Sequence, residues 1–450
     1  MFSLLAYFVI PSILPDAMNL VIGGPSIQNQ KYKNLTIGLF AEGLTRPTSM
    51  AFVDGNTIMV LEKNGNVRLI SNGTLQKEPI LKVDVDNEAE RGLLGIAVLK
   101  NSTKASNFSL INSHKTNYTP KDSEINLKDL TYPIFLYFTE KIKNSNDNNY
   151  TIHNRIYEYS WNRNNQNLTN PKLVFDLPAE LGPYHNGGKL KIGPDNQLYA
   201  IIGDLITINN TLQNRPDGSN HTTIPNNSSV IIRIDPFNGA SAKDNPFYKY
   251  YNKDVNLKSM SYYYAYGIRN SFGFDFDPLT AKLWDTENGE DMYDEINVVE
   301  PGFNSGWYKI MGPISRNNNS DIESELVKFN GSHYLDPVFS WFTTIGITDI
   351  EFFKSPKFGK ELENNIFTGD INNGNLYFFK VNATRTGIDV REISDSDSGS
   401  LNDKVVDNKA ELERVVFAKG FDGRITDIET GNDGCLYILT YFDGRIYKIS

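Results

Sequence analysis

One theme recurs along this chain and constrains its fold more than any other feature. Five segments, 50–70, 190–204, 274–286, 350–381 and 428–449, each read as an apolar alternating strand, a turn of Asp, Gly or Asn, and a second strand. Alternation with period two buries one face of a strand, and the Gly, Asn and Asp punctuation supplies tight turns. Met50 to Ile70 (MAFVDGNTIMVLEKNGNVRLI) shows the pattern most clearly. No long run carries apolar residues at helical spacing, and aromatic residues make up 12% of the chain, with 24 Tyr and 26 Phe. The expected class is all-β. Repeated strand–turn–strand units are the pattern of propeller blades, with another closed all-β architecture as the alternative.

Between these segments lie polar, Asn-rich stretches at 101–130, 207–229, 317–332 and 394–409. They read as surface loops rather than linkers, because strands resume after each. The reading is therefore one β domain over 31–450, preceded by an N-terminal segment over 1–30. The chain ends in a good strand, Gly444 to Ile449, and a strand near Leu35 to Ala41 is the candidate to pair with it and remove a free sheet edge.

The formal net charge of −10 argues against nucleic acid as a partner, which would need a basic face. It suits neutral or cationic ligands and leaves room for a divalent cation. With Cys435 as the single cysteine, no intramolecular disulfide can form. Phe2 to Leu14 (FSLLAYFVIPSIL) is an apolar run of signal-peptide length without a basic flank; a buried first strand is the other reading, and an uncleaved run would anchor the chain to a membrane. Fourteen Asn-x-Ser/Thr sequons, among them Asn34, Asn72, Asn101, Asn107, Asn117, Asn149 and Asn382, add weight to export. The expected location is extracellular or at the cell surface.

Four constellations carry chemistry. In Tyr184-His185-Asn186-Gly187-Gly188-Lys189-Leu190, followed by Gly203-Asp204, His185 alone among five histidines is framed by glycines before a strand. Glycines permit close backbone approach to a ligand, and a histidine there can act as a base near neutral pH; a satisfied turn histidine is the plainer reading. Tyr266-Gly267-Ile268-Arg269-Asn270 can offer a planar cation and an amide to a carboxylated aromatic ligand, or simply brace a loop. Glu287 to Glu295 packs five carboxylates into nine residues around Gly289, a density that suits Ca²⁺ or a solvated acidic loop. Glu90-Arg91-Gly92-Leu93-Leu94-Gly95 places a charged pair at a strand mouth.

In this order the four segments resemble the signature set of the soluble pyrroloquinoline-quinone (PQQ) aldose dehydrogenases, the glucose/sorbosone dehydrogenase family. The matching residues are Gly92 to Gly95, His185 to Tyr199, Gly267 to Gly273, Glu287 to Asn297 with Gly302 to Trp307, and Arg424 to Ile428. The resemblance implies a six-bladed β-propeller. It implies that His185 is the base taking the proton of a sugar's anomeric hydroxyl, and that Arg269 stabilises charge developing on the quinone. Asn270, Arg424 and Glu90 would contact PQQ, and the carbonyls of Gly289 and Glu290 would bind Ca²⁺. An external electron acceptor is implied as well. Thr426 and Asn372 stand where relatives carry further basic residues, and Tyr184 where some carry Asp. Three functions follow: a secreted sugar dehydrogenase, a non-catalytic propeller binding a glycan or protein, and, against the motif order, a Ca²⁺-dependent lactonase.

Overall fold

A computed structural model describes residues 24–100, 131–143, 149–180, 182–206, 211–214, 225–250, 255–391, 393 and 401–450. Its described strands form six sheets of four to six strands, with consecutive neighbours antiparallel in the main. The innermost strands of these sheets are Pro47–Asp54, Leu93–Val98, Leu190–Ile192, Gly273–Phe276, Ile347–Phe352 and Ile425–Thr430. They pack in succession around a central axis, and Lys191 of the third sheet reaches Asp275 of the fourth at 2.8 Å. The molecule is an all-β propeller.

The ring closes where the termini meet. Ile37–Ala41 pairs antiparallel with Arg445–Ile449, with Ile37 opposite Ile449, as the sequence suggests. Upstream of position 31, Ser26–Ile27 also joins a sheet, beside Val416–Lys419. Turn chemistry fits the hairpins. Asn72 and Gly73, at φ 49° and 81°, link Ser71 to Thr74, and such a two-residue turn with both φ positive favours Asn-Gly.

The second sheet has three long outer strands, Thr131–Lys143, Tyr150–Asn162 and Asn167–Pro178. Apolar residues fill the wedges between neighbouring sheets; Trp161, Trp284 and Trp341 are fully buried there. Toward the axis the innermost strands turn polar. Lys189 lies 2.8 Å from Asp349 and 2.7 Å from Asp427, and Asp427 accepts from the Ser49 hydroxyl at 2.9 Å. Lys191 bridges Asp275 and Glu351. The first, third, fourth, fifth and sixth sheets are thus tied together by buried charge. Among the described residues no helix is long and apolar enough to cross a membrane. The Phe2 to Leu14 run and sequons Asn101, Asn107 and Asn117 lie outside the described residues.

Candidate active site

His185 sits at φ 60°, a left-handed conformation, just before the third sheet. Its backbone N–H donates to Glu90 Oε2 at 2.6 Å, and its Nδ1 lies 2.5 Å from Asp204 Oδ1. Asp204 is held in turn: Oδ2 accepts from Trp307 Nε1 at 2.8 Å, Oδ1 from the Ile206 N–H at 2.8 Å, and its own N–H donates to the Arg269 carbonyl at 2.8 Å. A carboxylate on Nδ1 selects the tautomer with the proton there and leaves Nε2 as the available base.

Arg269 follows the Tyr263–Tyr266 strand. Its Nη1 donates to the Asn288 carbonyl at 2.8 Å, and its guanidinium lies over the Trp307 ring, 5.3 Å from the centroid. Burial pushes its pKa down, against the opposing pull of Asp204. Asn270 donates to Glu90 Oε2 at 3.3 Å, so Glu90 joins His185 and Asn270. The structure thereby brings His185, Arg269, Asn270 and Glu90 into one cluster. Arg424 is tied to the cavity through Tyr441. Its carbonyl accepts from the Tyr441 N–H at 2.9 Å, and Tyr441 and Glu90 both line an axial cavity of about 330 Å³.

Buried polar atoms without a hydrogen-bond partner among the described residues include Thr348 Oγ1 in the cavity wall, and Arg269 Nε and Asn270 Oδ1 in the cluster joined to it by Glu90. Buried polar atoms ordinarily find partners, so these fit a polar ligand. Phe272, Ile371 and Tyr441 supply apolar walls for a flat aromatic body. These donors and acceptors and the walls fit a PQQ-like molecule.

The acidic segment behaves differently from its sequence reading. Asp294 accepts from the N–H groups of Gly289, Ile345 and Ile347 at 2.8–3.1 Å. Glu295 accepts from the Gly312 N–H. Glu287 accepts from the Arg269 N–H at 3.1 Å and from the Ser305 hydroxyl. Glu290 and Asp291 point to solvent. The three buried carboxylates are consumed in bracing loops, and among the described residues no three of His, Cys, Asp or Glu form a metal-holding group. Carboxylate density therefore does not make a chelating site. What remains for a cation is the Gly289 and Glu290 carbonyls. Burial pushes the Glu287 carboxyl up to about 7.

Asp204 and Trp307 are the members of this cluster to which the sequence alone assigns no role. A histidine acting as a base needs an orienting acid; Asp195 lies nearer along the chain, but it pairs with Arg233 and Tyr199, and the acid that reaches the ring is Asp204.

A family model for glucose/sorbosone dehydrogenases matches residues 44–448. The chain belongs to the glucose/sorbosone dehydrogenase family. An uncharacterized protein of Synechocystis is 23% identical over 412 residues, covering 89% of this chain and 82% of its own. An aldose sugar dehydrogenase of Escherichia coli is 26% identical over 285 residues, 63% of this chain and 65% of that enzyme. The PQQ-bound form of an aldose sugar dehydrogenase from Streptomyces coelicolor superposes with a TM-score of 0.59 at 21% identity, over 92% of this chain and 98% of that one; at this identity the likeness speaks to the fold.

Proposed function

We propose that this family member is an exported quinoprotein oxidoreductase that oxidises an aldose at its anomeric carbon, with PQQ as hydride acceptor and an external acceptor for the electrons. The six sheets are read as six blades around the site. The carrying observation is the His185–Asp204 pair, 2.5 Å apart, joined through the His185 N–H to Glu90 in the cavity wall, with Asp204 accepting from Trp307, over whose ring the Arg269 guanidinium lies. Bound PQQ supplies an electrophilic quinone carbon for the hydride. His185 Nε2 takes the hydroxyl proton of the sugar, and Asp204 stabilises the resulting imidazolium. Arg269, held in place by Asn288 and Trp307, presents positive charge to oxygen that becomes anionic. Asn270 and Glu90 orient the cofactor edge, and the Gly289 and Glu290 carbonyls would hold a Ca²⁺ that polarises the quinone.

The experiment is reconstitution of purified protein with PQQ and Ca²⁺, followed by dye reduction with a panel of aldoses. Cofactor absorbance with aldose-dependent turnover is expected; neither, from folded protein, would overturn the reading. A binding-only propeller is favoured by one observation, the absence of basic side chains at Thr426 and Asn372. Export rests on the apolar run and the sequons, and the mature N-terminus of the native protein tests it: a retained Met1 with unmodified sequons would count against export.

A further inference from the structure

We propose that Arg46 and Lys63, both from the first sheet and its entry, form with Arg424 the cationic clamp for the carboxylates of the ligand in the axial cavity. Naming PQQ as that ligand rests on the function proposed above. Thr426, where a second basic residue would be expected, donates its hydroxyl to the Pro47 carbonyl at 3.2 Å. That contact leads directly to Arg46, the residue before Pro47.

Arg46 is exposed, sits at φ 46°, and makes no side-chain hydrogen bond or ion pair to another described residue. Left-handed non-glycine residues cluster at ligand clamps. The Lys63 N–H donates to the Arg46 carbonyl at 3.1 Å, which fastens the two basic residues together. Lys63 lines the cavity with only 9% of its surface exposed. Its ammonium has one hydrogen-bond partner among the described residues, the Asn87 carbonyl at 2.5 Å, and no carboxylate within ion-pair reach. Room for its stem comes from Gly92, where a Cβ would stand 2.8 Å from Lys63 Cγ.

Arg424, also left-handed at φ 65°, has no side-chain partner among the described residues. Tyr441, another cavity wall, connects the two sides: it donates to the Arg424 carbonyl and lies in the field of Arg46. The nearby anions are occupied. Asp86 faces Arg91 at 3.3 Å and Lys141 at 3.5 Å, and Glu90 holds His185 and Asn270. In a chain of net charge −10, Lys63 in the cavity wall, Arg46 fastened to it and Arg424 fastened to the wall residue Tyr441, none with a carboxylate partner among the described residues, suit a polyanion. A planar guanidinium can grip a carboxylate with two parallel bonds, and a buried ammonium adds a point charge.

Calorimetric titration of wild type, Arg46→Ala, Arg46→Lys and Lys63→Met with PQQ, and separately with benzene-1,3,5-tricarboxylate, tests this. Arg46→Ala and Lys63→Met should each weaken PQQ roughly tenfold or more, the loss of about one charge-assisted contact. Affinity should depend less steeply on salt in both, with Arg46→Lys recovering part of the loss and melting temperatures unchanged. Should Lys63→Met fail to fold, the exposed Arg46 carries the test alone. Undiminished PQQ affinity in the variants overturns the clamp and leaves the quinoprotein reading standing. Wild type that binds the tricarboxylate through Arg46 and Lys63 but ignores PQQ overturns the quinone reading and keeps the clamp. Wild type that binds neither overturns both.

Discussion

A residue with a Cβ held at φ 60°, as His185 is, occupies a sparsely populated conformation that its surroundings must impose. Glu90 fixes its backbone and Asp204 its ring. Gly203 lets the two arms meet: a Cβ there would lie 2.5 Å from the Arg269 carbonyl and 2.7 Å from that of His185. His185→Ala should lower aldose turnover by about 10²–10⁴-fold, the usual worth of a general base, while PQQ affinity measured by titration stays near wild type. Equal losses of affinity and turnover would make His185 a structural residue instead. Gly203→Ala should cost both activity and melting temperature, because backbone on either side has to move; unchanged steady-state kinetics would show that the close approach is dispensable.

At the scale of elements, the innermost strands are joined by charge rather than by apolar packing alone. Lys189 stands between Asp349 and Asp427 with a side chain only 6% exposed. Lys189→Met leaves two buried carboxylates facing each other, and removing one partner of such a group costs about 3–5 kcal/mol. Denaturant unfolding should register that loss; a shift below about 1 kcal/mol would show that water already shields the axis. The strands themselves were legible where alternation ran unbroken, and the five segments read from it all fall on sheets. The second sheet was not read as a repeat, because 101–130 separates Leu93–Val98 from its partners and no local pattern spans that gap. The site was legible only as an ordered set: His185, Arg269, Asn270 and Glu90 come together from distant positions, which spacing along a chain cannot encode. The acidic segment misled because residue type gives carboxylate density but not direction, and Asp294, Glu295 and Glu287 turn inward to backbone donors.

For the whole molecule, closure and protonation set stability. Ile446 is fully buried in the closing sheet, opposite Ala41 and Leu439. Ile446→Asp would put a carboxylate into that seam and should broaden or abolish cooperative unfolding, followed by calorimetry. The axial acids make stability depend on pH in two opposing ways. Asp275 and Asp427 are held below the usual carboxylate range by the lysines beside them, although burial opposes it; they stabilise the fold above the unfolded pKa and lose that contribution on acidification. Glu429 is pushed up to about 8 by burial, with the charges of Glu351 and Asp427 adding and Lys191 opposing. Its folded pKa lies above its unfolded one, so its protonated form is favoured by folding. The cost of ionising it is absent below about pH 4.3, grows as pH rises, and is complete above about 8. Glu287, raised to about 7 by burial, acts in the same direction. Stability should therefore peak on the acid side of neutrality. Glu429→Gln keeps the shape and removes the ionisation, so its melting temperature relative to wild type should rise between about pH 5 and pH 8 and level off above that. A difference that does not change with pH would mean that Glu429 titrates alike in the folded and unfolded chains, and that the axis is open to water at that level.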